Sequence, residues 1–117
     1  MRKKELPAGA RAMRASHPGE AWSVILKEGL RLSVTETAKR MGVSRQRLHA
    51  VIREKRPERV TPNLALRFTR LCGKDDEAAK LWLRMQMTYD LEVAKSELAD
   101  VLSGIEPVSP PKDAVSA

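Results

Sequence analysis

The side chains equipped for chemistry fall into one thin group and one dense group. The thin group is His17, His49 and Cys72, the two histidines and single cysteine of the chain. The histidines are far apart and make no H-x-x-x-H pattern, and the cysteine lacks a mate for a disulfide or a cysteine-based zinc site. No Gly-rich phosphate loop and no nucleophile with a nearby base is present. The sequence therefore predicts no catalysis, no metal and no cofactor. The dense group runs from Ser44 to Arg59 and suits hydrogen bonding to nucleic acid. Arginine can grip guanine with two bonds, glutamine can do the same for adenine, and a small methyl can touch thymine. Arg45, Gln46, His49 and Ala50 are the candidate base readers. Ser44, Arg47, Arg53, Lys55 and Arg56, with Arg59 beyond them, are candidate phosphate contacts, which position a protein without specifying sequence.

Such a group works only if a rigid element presents it. The segment VTETAKRMGVSRQRLHAVIR, Val34 to Arg53, has helix-turn-helix spacing. Ala38 is small where the next helix crosses. Gly42 sits in the tight turn, where a positive φ is expected. Val43 plugs the corner, and Met41, Leu48 and Val51 hold the pair against a core. At about 100° per residue, a core stripe of Leu48, Val51 and Ile52 leaves Gln46, His49, Ala50 and Arg53 facing outward. Arg45 and Gln46 lie at the N-terminal end of that helix, the end that meets base edges in this motif.

The neighbouring segments also read as helices. Pro18 suits a first helical position, and Trp22, Ile25, Leu26 and Gly29 then share a face. Ser33 caps the next helix, with Glu36 completing a capping box. Ser44 caps the reading helix. Lys55 to Val60 is a charged loop containing Pro57. Thr61 caps a fourth helix that begins at Pro62, points Leu64, Ala65, Phe68 and Leu71 inward, and stops at Gly73. Asp75 or Asp76 opens a fifth helix bearing Ala79, Leu81, Trp82, Met85, Tyr89 and Val93. No stretch alternates with period two, so the expected fold is all-α: a five-helix domain with an extended C-terminal helix.

Charge is divided along the 117 residues, whose net charge is +7. Residues 1–70 hold 17 Lys/Arg against 6 Asp/Glu, and residues 71–117 hold 5 against 9. The first part is suited to a polyanion, and the second is not. Residues 1–16 read as a flexible basic arm, 17–102 as the folded DNA-binding and dimerisation unit, and 103–117, rich in proline, as a disordered tail. No apolar run approaches a membrane span, and the basic N-terminus lacks the apolar core of a signal peptide. A single free thiol fits a reducing cytoplasm. One reading helix covers few base pairs, so a two-fold dimer is expected. Trp82, Met85 and Tyr89 on the fifth helix are the candidate dimerisation surface.

The blocks HPGEAWSVIL, LSVTETAKRMGVSRQRLHAVI, VTPNLALRFTRLCG and LWLRMQMTYDLEVAK follow one another at a spacing that resembles HigA-type antitoxins, within the Cro/repressor-like (XRE) helix-turn-helix group. The match spans about Ser16 to Lys95. The HPGE opening and the Trp82–Asp90 block separate it from generic phage-type repressors. The resemblance implies a homodimer, binding to operator double-stranded DNA in its own promoter, and a cognate HigB-like toxin similar to RelE-like ribonucleases. Neutralisation by direct binding and repression of the shared operon would follow. Two other readings stay open: a stand-alone repressor without a toxin, and an interaction protein that uses the helix-turn-helix only as a scaffold.

Overall fold

The computed structural model of the protein describes residues 15–111. The expected arm, 1–16, and the end of the expected tail therefore lie mostly outside the described residues. Helix α1 spans Pro18–Val24 and runs into a π-helical turn, Ile25–Gly29. Helices α2 (Val34–Met41), α3 (Arg45–Ile52) and α4 (Pro62–Leu71) follow. A 3₁₀ turn, Asp76–Ala78, leads into the long α5, Ala79–Glu97, and a short α6, Ala99–Ser103, continues it. The described residues are all-helical, without a strand. All five expected helices are present, and α6 is a sixth.

The helix boundaries follow from capping chemistry. Ser33, Ser44 and Thr61 each accept a hydrogen bond from the backbone N–H three residues on, at 3.0, 3.0 and 3.2 Å. The capping box expected at Ser33 is half formed. Glu36 turns its carboxylate to Arg40, 2.8 Å away, instead of back to the cap. Gly42 and Gly73 end α2 and α4 at φ +76° and +77°, the left-handed conformation that costs glycine nothing. Asp75 makes no side-chain cap, and Asp76 is held by Arg70 at 2.8 Å. That segment therefore tightens into 3₁₀ geometry, and α5 starts at Ala79 instead of Asp75 or Asp76.

Gly29 also departs from expectation. The N–H of Leu30 reaches back five residues to the Ile25 carbonyl, at 2.8 Å. This wider turn rotates Gly29 off the Trp22 face, and it is exposed, while Trp22 and Leu26 are buried. On the fifth helix Leu81 and Val93 are exposed.

The core is built around aromatic rings. Trp22 stacks on Phe68 with centroids 4.2 Å apart, and Trp82 meets both edge-on at 5.9 and 6.0 Å. Ala38, Met41, Leu48, Val51, Val60, Leu64 and Ala65 close around them. Truncating a buried ring such as Phe68 to alanine would cost about 3–5 kcal/mol.

Helix α1 is seated by three buried residues at its start, His17, Pro18 and Gly19. The His17 ring caps the helix, its Nδ1 accepting the Gly19 N–H at 2.9 Å. Pro18 follows at the first helical position. Gly19 is set by proximity: a Cβ there would sit 2.1 Å from the Val51 carbonyl oxygen of α3. The N-terminal turn of α1 is thus laid directly on the last turn of α3.

Gly19→Ala is expected to destabilise the fold by about 1–3 kcal/mol through overpacking. Gly29→Ala meets only a side-chain methyl at 3.9 Å and should be neutral or gain up to about 1 kcal/mol. Urea midpoints of the two variants check the contrast.

Candidate nucleic-acid interface

Helix α3 has eight residues, and its burial divides it lengthwise. Leu48 and Val51 are buried and Ile52 is half-buried, whereas Arg45, Gln46, Arg47 and His49 are exposed. Ala50 is half-buried, and its carbonyl accepts the Glu58 N–H at 2.8 Å. The candidate readers therefore share one open face of one helix, with Ala50 at its inner margin. Ser44 is exposed, but its hydroxyl oxygen is engaged as the α3 cap.

The loop after α3 is folded back and fastened. Arg53 donates from Nε to the Arg56 carbonyl at 3.0 Å, and Arg56 itself adopts φ +50°. A non-glycine residue holds that conformation only when its surroundings fix it. Lys55 and Arg56 are both exposed on this loop. Farther on, the buried N–H of Val60 donates to Oε1 of Gln86 at 2.7 Å. Gln86 in turn donates to Asp90 at 2.9 Å, and Asp90 pairs with Arg59 at 3.0 Å. Two polar residues of the Trp82–Asp90 block thus anchor the loop that carries the candidate phosphate contacts. Arg59, a candidate phosphate contact in the sequence, is paired with Asp90 within the fold.

Arg67 was not singled out in the sequence. From α4 its Nη1 donates to the Met41 carbonyl at 2.7 Å and the Gly42 carbonyl at 3.4 Å, while Nε donates to Asn63 at 2.7 Å. A guanidinium there satisfies free carbonyls at the C-terminus of α2 and complements the negative end of that helix. It locks the turn of the helix-turn-helix. No local sequence pattern marks it, because Arg67 and Gly42 meet only through the fold.

The cations divide into two sets. Arg40, Arg59, Arg70, Lys80 and Lys95 each have a carboxylate partner, with Lys80 paired to Glu77. Among the described residues the remaining cations have none, and five of them, Arg45, Arg47, Arg53, Lys55 and Arg56, are gathered on α3 and the loop that follows it. An unneutralised cluster on one surface carries a field that a polyanion would relieve. Trp82, Met85 and Tyr89 are all half-buried on α5. Trp82 spends much of its surface on the aromatic cluster, and Tyr89 meets the His17 ring edge-on at 5.0 Å.

His17 is almost fully buried, and its Nε2 has no hydrogen-bond partner among the described residues. Burial lowers its pKa from the usual 6.5, outweighing the Glu58 carbonyl and the carboxylates of Asp90 and Glu20. Nδ1 is an acceptor here, so the neutral ring carries its proton on Nε2. No helix of the described residues is long and apolar enough to cross a membrane, and no cluster of metal-ligating groups occurs among them.

No family model matches the chain. Virulence-associated protein I of Dichelobacter nodosus is 38% identical over 92 residues, covering 79% of this chain and 81% of that protein. A HigA-family addiction module antidote protein from Coxiella burnetii superposes with a TM-score of 0.67 at 25% identity, over 81% of this chain and 99% of its own. Antitoxin HigA of Pseudomonas aeruginosa, solved with the higBA promoter, gives a TM-score of 0.70 at 23% identity, over 82% of this chain and 100% of its own.

Two outcomes are expected. Gln86→Leu keeps volume but strands the Val60 N–H, costing about 1–3 kcal/mol in denaturant unfolding. Because the folded-state pKa of His17 is depressed, the unfolded chain binds more protons at mildly acidic pH. The contribution of the neutral ring is complete above the unfolded value of 6.5 and is lost as pH falls below it. In His17→Asn, which retains a capping side chain, thermal melts over this window should depend less on pH.

Proposed function

This chain belongs, with virulence-associated protein I and the HigA-type antitoxins, to one family of Cro/repressor-like helix-turn-helix proteins, and we propose that it is the antitoxin of a type II toxin–antitoxin pair. In this reading it binds a HigB/RelE-like ribonuclease directly and represses their shared operon by holding operator DNA. The observation that carries the DNA half is the unpaired cation cluster on and beside the open face of α3. The P. aeruginosa antitoxin solved with its promoter supports the same reading. Neutralisation is stoichiometric.

Arg45, Gln46, His49 and Ala50 read base edges, with Ala50 at the margin of the contact. Ser44, Arg47, Arg53, Lys55 and Arg56 hold phosphates, the Ser44 hydroxyl donating while its oxygen caps α3. Residues 17–102 form the working unit. Two copies pair through the part of Trp82, Met85 and Tyr89 that α5 leaves accessible, presenting two α3 helices about 34 Å apart. The site of action is the cytoplasm, on the nucleoid when DNA is bound.

A dimer that neutralises about 6–10 phosphates should lose about 10³–10⁵ in operator affinity between 50 and 200 mM salt. Gln46→Ala should relax base choice at one operator position by about 1–3 kcal/mol, whereas Arg56→Ala should weaken all sequences alike and shallow the salt slope by about 1. Gel shifts against a panel of singly substituted operators check this. Equal, uniform losses from both variants would remove α3 as the reader. The antitoxin half is checked by co-expression with the tagged product of the adjacent gene: a retained complex and relief of growth arrest are expected. Operator binding without a retained partner would make the chain a stand-alone repressor.

A further inference from the structure

Downstream of Lys95 the chain changes character. From Ser96 to Pro111 it holds no lysine or arginine and three carboxylates, Glu97, Asp100 and Glu106, in a protein with 22 cations. Every residue of this stretch is exposed. Leu98, Val101 and Leu102 fall at i, i+3 and i+4, and Ile105 follows at i+7 with its N–H still bonded to the Leu102 carbonyl at 3.1 Å. The four side chains line one face and stand 43, 58, 46 and 61% exposed. At 100° per residue, Glu97 and Glu106 flank this face and Asp100 falls on the opposite side. Helix α6 continues directly from the end of α5 and buries none of its residues.

A helix of five residues gains little from its own backbone bonds, and helices of this length rely on burying a face. Here that face meets solvent, which marks an interaction surface. Charge selects the occupant. DNA would meet the three carboxylates with like charge. A second copy would set the same acidic, cation-free strip against itself. A protein with apolar pockets inside a cationic surface is complementary on both counts. An RNA-cleaving protein needs a cationic surface to hold its substrate.

We propose that the α6 strip, Leu98 to Ile105, docks into the cationic surface of the toxin; this rests on the antitoxin reading above. The apolar face supplies the contact area, Glu97 and Glu106 supply the charge complement at its rim, and Asp100 adds to the acidic field behind it. Operator DNA and toxin are then held by separate parts of the chain, the first by α3 and its loop, the second by α6.

The test uses the full chain and the purified product of the adjacent gene. Val101→Lys combined with Ile105→Lys places two cations on the strip without touching the core. Calorimetry should read a toxin affinity at least about 100-fold weaker, with operator affinity, sedimentation and melting temperature unchanged. Toxin affinity within about twofold of the parent overturns the strip while leaving the antitoxin reading intact. Loss of dimer and operator binding together with toxin makes the strip a seam between copies and overturns the proposal. A parent chain that binds no toxin overturns both.

Discussion

The contact between Gly19 and the Val51 carbonyl governs how α3 is carried. Helix α3 is eight residues long, too short to be stable alone, so its direction must be imposed by its neighbours. The first turn of α1 presses on its last turn with no space for a side chain. The His17 cap and Pro18 fix where that turn begins. Moving α1 outward by the width of a methyl would also draw Trp22 off Phe68 and loosen the aromatic cluster. Helix placement and core packing are thus one constraint seen from two sides.

A second layer of control is polar. Arg67 closes the end of α2, Gln86 takes up the Val60 N–H, and Asp90 holds Arg59. Each bond joins parts of the chain more than twenty residues apart. Together they fix the turn before α3 and the loop after it. The arginines drawn into these contacts have partners within the fold, whereas Arg45, Arg47, Lys55 and Arg56 on and after α3 have no carboxylate partner among the described residues.

Much of this was legible in the sequence because it is local. The serine and threonine caps, the glycines at φ +76° and +77°, and the inward stripe of Leu48 and Val51 depend on neighbours within a few residues. The parts not legible are those that depend on distant contacts or on competition between partners. Glu36 prefers Arg40 to its cap, and Asp76 prefers Arg70. The pairing of Arg59 with Asp90 was not legible because Asp90 lies on another helix. Arg67 carried no signal at all. The π turn at Ile25–Gly29 was invisible because regular helical spacing assumes a constant pitch, and one widened turn displaces everything after it. Among the candidate site residues, the exposed face of Arg45, Gln46, Arg47 and His49 follows from the period of α3, whereas the half-burial of Ala50 depends on the loop that folds over it.

The solitary thiol of Cys72 lends itself to a different use. It sits half-buried beside Trp82 at the end of α4, and burial raises its pKa. A thiol held in its protonated form reacts slowly with alkylating agents. With one sulfhydryl per chain, every modified molecule reports on the same place, and opening of the α4–α5 junction would expose the thiol further and speed its labelling. The rate of mass gain under a small alkylator then compares how open that junction is under different conditions. Nothing needs to be engineered into the protein for this reading.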